Sequence, residues 1–139
     1  MDALHFRHNV LSYSCLVFCP TVLATTAIPR LNYAWLAVML TSVYHHHRPH
    51  NTALVLADQL AVFNLVYQNA VFVVACPVWL LTFYALTVAY TTMWYYPTRL
   101  GYVPTSLHLP LHLTTYAATS ICGCLIASYA PAPAPAPAP

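Results

Sequence analysis

Apolar residues fill this chain in five long runs, and each break between runs falls on proline, arginine, histidine or a cluster of small polar residues. The runs are Val10–Ile28, Leu31–His46, Ala53–Ala75, Val78–Tyr96 and Leu107–Tyr129. Each is near the roughly 20 residues that an α-helix needs to cross about 30 Å of hydrocarbon, Leu31–His46 being the shortest. Backbone groups in lipid must be satisfied within their own segment, so the pattern predicts helices and not strands. The connections are short: Pro29-Arg30, the histidine-rich stretch around residues 47–52, Cys76-Pro77, and residues 97–106. "MWYYP" (residues 93–97) closes the fourth run with rings suited to the headgroup level. The expected fold is all-α, a polytopic membrane bundle of about five transmembrane helices.

The two ends of the chain read differently. The first run is longer than a signal-peptide core and lacks a small-x-small cleavage pattern, which favours a retained span. Residues 130–139 read "APAPAPAPAP". Every second residue there lacks a backbone donor, so this tail predicts an extended, polyproline-like segment and not a helix. The expected organisation is therefore a membrane domain over residues 1–129 and a low-complexity tail over 130–139.

Composition sharpens the membrane reading. Of 139 residues, 60% are apolar and 4% charged, where soluble proteins carry about a quarter charged residues. There is no lysine, and four arginines against two aspartates leave a net charge of +2. That is too little and too scattered a charge for nucleic-acid binding. Five cysteines include no C-x-x-C pair, which argues against a disulfide framework or a zinc knuckle. Cys15 and Cys19, and Cys122, Gly123 and Cys124, are small residues suited to close helix packing.

Five spans put the termini on opposite sides. Arg7, Arg48 and Arg99 fall on the N-terminal side and Arg30 on the other, so the positive-inside rule places the N-terminus in the cytoplasm and the Ala-Pro tail across the membrane. The same parity brings the end of the second run, the start of the third and the start of the fifth to one membrane face. On that face lie "TSVYHHHRPH" (residues 41–50), Asp58, and "TSLHLPLHL" (residues 105–113). Ser42 and His46 are four apart, as are His108 and His112, and residues four apart share one helix face. Two imidazoles one turn apart are able to share a metal ion. Pro110 lies between His108 and His112 and predicts that His108 sits outside the regular helix. His45 or His47 is a register alternative to His46. Taken singly, such histidines also suit an interfacial role, with an apolar ring body and a polar edge. Asp58 has less freedom, because a carboxylate within a span costs about 2.5–3.5 kcal/mol on insertion scales and needs a partner or water; Arg48 is one such partner. Further along the third run, Asn64, Gln68 and Asn69 suggest interhelical hydrogen bonds or a polar path descending from Asp58.

S-x-x-x-H at the end of one run, an aspartate a dozen residues on, and H-x-x-x-H in the last run resemble the CREST superfamily. Alkaline ceramidases, adiponectin/progestin receptors and hemolysin-III-like proteins belong to it. The likeness covers residues 31–65 and 105–125, in a chain about half as long as the seven-helix members. It implies a zinc ion held by His46, His108 and His112, with Asp58 orienting or deprotonating the zinc-bound water and Ser42 assisting the water or the oxyanion. Three neutral imidazoles leave the ion's charge intact and one position open, which lowers the pKa of bound water to about 7. The activity implied is hydrolysis of a lipid amide or ester. The other expectation is a non-catalytic membrane subunit of a larger assembly, a virion inner membrane or an organellar complex. Short connections and sparse charge suit that role, and the Ala-Pro tail is similar in composition to tails on structural proteins of some large algal DNA viruses. The partners expected are thus the bilayer, a lipid substrate on the first reading, and neighbouring proteins on the second.

Overall fold

A computed structural model describes residues 10–48, 50–99, 102 and 104–129. The Ala-Pro tail and Arg7 lie outside the described residues. Five helices account for nearly all of the rest: α1 Val10–Ala24, α2 Pro29–His47, α3 Thr52–Val73, α4 Val78–Arg99 and α5 Thr105–Tyr129. They coincide with the five apolar runs, and among the described residues there is no strand.

Local chemistry sets the helix boundaries. α1 tightens to a 3₁₀ turn over Cys15–Phe18, immediately before Pro20. That proline has no N–H to offer Leu16 and its ring crowds the Leu16 carbonyl, so the chain there changes its hydrogen-bond pattern. Pro29 starts α2, where a missing donor costs nothing. The Asn51 side chain caps α3, accepting from the amides of Ala53 at 3.1 Å and Leu54 at 3.2 Å. Pro110, contrary to expectation, does not interrupt α5. It stands in the second turn, where the lost bond and the ring crowding fall on Ser106 near the free end of the helix, and His108 is helical.

α2 pairs along its length with α3, and α4 with α5, while α1 packs against both α5 and α2. α3 and α4 follow one another in sequence but touch at few points. The buried face of α2 is Leu31, Ala34, Trp35, Val38, Ser42 and His46. That of α3 is Ala61, Leu65, Asn69 and Val73. Both repeat at three or four residues, as one helix face must. Where α1, α2 and α5 meet, packing is tightest. Phe18, Leu31, Trp35, Cys122 and Ile126 are buried there, and a Cβ on Gly123 would overlap the Trp35 indole and the Thr21 methyl. Thr21 donates to the Ser120 carbonyl at 3.0 Å, Ser120 donates to the Val17 carbonyl at 3.0 Å, and Asn32 donates to the Val22 carbonyl at 2.6 Å.

The outward faces are apolar. Leu60, Phe63 and Tyr67 on α3, and Val78, Leu86 and Met93 on α4, are exposed. By length and composition, one helix is apolar enough to cross a membrane, over Leu107–Tyr129, with Val10–Ala24 a shorter apolar helix. The expectation of five spans is thus narrowed to one on this measure. α2, α3 and α4 are long enough, but polar residues lower their mean hydropathy. In α3 these are Asp58, Gln59, Asn64, Gln68 and Asn69; in α4 they are threonines and tyrosines.

Candidate functional site

Ser42 and His46 continue the buried stripe of α2 into its last turns, so the packing that buries Trp35 and Val38 also turns these two side chains inward. Asp58, one turn before Ala61, lies on the inner edge of α3. His108 and His112 occupy the first turns of α5, beside the last turns of α4. All five therefore collect at one end of the bundle.

The carboxylate of Asp58 is held by three donors from α2. Ser42 Oγ donates to Oδ1 at 2.5 Å, Thr41 Oγ1 donates to Oδ1 at 3.1 Å, and His45 Nδ1 lies 3.1 Å from Oδ2. His45 thus fills the partner role that Arg48 was a candidate for; Arg48 is exposed at the C-cap of α2. The histidine run splits by direction. His45 faces Asp58, His46 is buried toward α5, and His47 and His50 are exposed. Helix phase accounts for this, since only position 46 continues the stripe 35, 38, 42.

On the other side of the site, the His46 and His112 rings are 4.8 Å apart and those of His108 and His112 are 5.6 Å apart. Trp94 Nε1 donates to Thr115 Oγ1 at 2.8 Å, which sets the indole against both His108 and His112. Tyr116 lies one turn beyond His112. Its ring is 4.2 Å from that of His112, and its hydroxyl is 3.4 Å from His46 Nε2. His112 is buried and its Nδ1 has no hydrogen-bond partner, an expensive state for a polar atom unless something else meets it.

Ser42, Asp58, His112 and Tyr116 border a cavity of about 130 Å³ that runs inward past Thr87, Thr91 and Thr115 to Asn69. Asn69 Oδ1 is buried there and also lacks a partner. Of the amides noted in the third run, only Asn69 faces the cavity. Asn64 is exposed, and Gln68 reaches back to it at 3.5 Å along the outside of α3. A groove of about 440 Å³ between α3 and α4, lined by Val62, Phe63, Val66 and Val88, also ends at Asp58.

Pairwise, the ring spacings are compatible with imidazoles that share an ion. Imidazoles sharing a tetrahedral ion with bonds of about 2.0–2.1 Å have ring centres roughly 5 Å apart, close to both spacings in this site. The unpartnered Nδ1 of His112 is a donor atom of the right kind. Among the described residues, however, no group of three His, Cys, Asp or Glu side chains is arranged to hold a metal ion. Trp94, expected from the sequence as a headgroup-level ring, is buried here, and Thr41 and Tyr116 are not among the residues singled out from the sequence. Tyr116 had a signal there, because H-x-x-x-H-x-x-x-Y over residues 108–116 continues one helix face. No family model matches the chain, and no curated protein or solved structure matches it either.

Proposed function

We propose that this chain is a small multi-span membrane protein with a zinc centre at one end of its bundle, acting in hydrolysis of a lipid amide or ester. The observation that carries the reading is the convergence of Ser42, His46, Asp58 and His112 from three helices, with His112 Nδ1 buried and unpartnered. His46 and His112 would hold the ion, with His108 from the adjacent turn of α5. A bound zinc supplies Lewis acidity and an acidified water. Asp58, its carboxylate aimed by Thr41, Ser42 and His45, would be the proton acceptor. Ser42 is the hydroxyl donor nearest that carboxylate.

The membrane reading rests on the outer surface. Leucine, valine and aromatic side chains cover it, and the entire chain has six charged residues, four arginines and two aspartates. Tyrosine, tryptophan and threonine lower a hydropathy mean without barring a helix from the bilayer, and tyrosine and tryptophan favour its interfaces. The arginine asymmetry puts the N-terminus in the cytoplasm.

Zinc content of the detergent-purified chain tests the centre. About one zinc per chain in the wild type, lost on His108→Ala with His112→Ala, supports it and makes lipid-amide hydrolysis the next assay. No zinc, or zinc unchanged in the double variant, would assign the ion, if any, to the exposed histidines. The chain would then be better read as a structural subunit. That second reading is favoured by the broad apolar faces of α3 and α4, which suit neighbouring membrane proteins as well as lipid.

A further inference from the structure

The outer face of α3 carries a pattern that neither the site nor the core uses. Ala57, Leu60, Asn64, Tyr67, Val71 and Val74 are spaced alternately three and four residues apart, and all but the half-buried Ala57 are exposed. That alternation is the seam pattern of a helix that meets another helix at a shallow left-handed crossing. Within the chain the stripe is left uncovered. The buried face of α3 is Ala61, Leu65, Asn69 and Val73, and α4 lies along its flank at Val62 and Val66.

In the middle of this apolar stripe stands an amide. At 1.5 Å per residue, Asn64 lies about 18 Å from the first residue of α3 and about 14 Å from the last, which is mid-bilayer for a span. Gln68 follows one turn on, and its Nε2 reaches Asn64 Oδ1 at 3.5 Å. Among the described residues, the Asn64 donors and the Gln68 oxygen have no other partner. The exposed threonines of α4 differ. Thr82 and Thr92 donate to carbonyls one turn back, at 3.0 and 2.9 Å, and so need nothing from their surroundings.

An amide facing hydrocarbon is costly, because lipid tails offer no hydrogen bond. A second copy of the chain does offer one. A primary amide carries donor and acceptor together and is complementary to itself. Copies related by a two-fold axis along the membrane normal bring equal depths together, Asn64 beside Asn64. The stripe holds no charged side chain, so two copies meet without repulsion. From these observations we infer that α3 is the seam of a homodimer. Two chains meet along Leu60, Asn64, Tyr67 and Val71, with the amides of Asn64 and Gln68 hydrogen-bonded between copies. The inference rests on the multi-span membrane reading and is independent of the zinc centre. The pairing also leaves the groove that ends at Asp58 uncovered, because Val62 and Val66 lie on the flank of α3 and not on the stripe.

Energy transfer between donor- and acceptor-labelled copies of the full chain, reconstituted in phosphatidylcholine vesicles and diluted with lipid, is the test. Wild type is expected to show transfer that rises linearly with acceptor fraction, as a dimer requires, and that exceeds chance proximity. Asn64→Leu with Gln68→Leu keeps the stripe apolar and should weaken the dimer about tenfold or more. Asn64→Gln, which retains an amide, should stay close to wild type, and Thr82→Val with Thr92→Val should change nothing. Helical circular dichroism confirms that each variant is folded. If wild type shows only chance proximity, or the double leucine variant pairs as tightly as wild type, the stripe belongs to lipid or to another protein and the inference is overturned. An alkaline carbonate wash tells the two failures apart. A chain that stays in the vesicles without pairing overturns the dimer alone, whereas a chain that washes off overturns the membrane reading with it.

Discussion

The two sides of the bundle treat their polar groups in opposite ways. Where α1, α2 and α5 meet, Thr21, Ser120 and Asn32 are paired across helices at 2.5–3.0 Å, and there is no room for a Cβ at Gly123. Trp35 Nε1 is the only unpartnered buried atom on that side among the described residues, and it does not border the central cavity. Toward α3 and α4 the packing loosens. There a cavity and a groove both reach Asp58, and His112 and Asn69 each leave a buried polar atom without a partner. Unpartnered polar atoms in a fold that elsewhere pairs them are where a ligand or water has something to do. One side holds the helices together, and the other holds a site open.

Substitutions can break that contrast in order of expected effect. Trp35→Ala, on the packed side, should cost the most, about 3–5 kcal/mol, because it empties a fully buried volume that cannot collapse. Gly123→Val should follow at about 1–3 kcal/mol, since the new side chain must displace Trp35 or Thr21. Denaturant unfolding in detergent, read by helical circular dichroism, would measure both. A Gly123→Val chain as stable as wild type would mean that α1 and α5 are not in close contact. On the open side, Asp58→Ala takes away the carboxylate partner of Ser42 and His45, while Thr41 keeps the Ala37 carbonyl, and a loss of about 1–3 kcal/mol is expected. Asn69→Leu should be the mildest, neutral or stabilising by up to about 1 kcal/mol, because it removes a buried amide oxygen that lacks a partner. If Asn69→Leu instead destabilised strongly, the amide would have a partner that holds the fold, and the two sides would not differ in kind.

The helices were legible in the sequence because punctuation is local: Pro29 and Pro77 stand where elements start by backbone chemistry alone, and the polar stretch 47–52 marks the turn between α2 and α3. The inward placement of Ser42 and His46 was legible for a related reason. They sit on the same face as Trp35 and Val38, and a helix cannot bury one without turning in the others. The Asp58 partner was not legible. Arg48 and His45 are both near in sequence, and only the angle between α2 and α3 decides that the imidazole reaches the carboxylate. Pro110 misled because its effect depends on how far upstream the helix begins, which a single proline does not reveal. Tyr116 was overlooked because tyrosines are abundant in this chain. Its meaning comes from His46, 70 positions away.

The clasp between Thr21 and Ser120 also has a consequence in time. The hairpins α2–α3 and α4–α5 join neighbours in sequence and can pair as soon as each is made. The α1–α5 contact spans 99 positions. At the roughly 5–20 residues per second of protein synthesis, α1 must wait about 5–20 s for its partner to emerge. During that interval, the helix that begins the described chain has α2 beside it and nothing against its threonine face. Only the arrival of α5 covers that face.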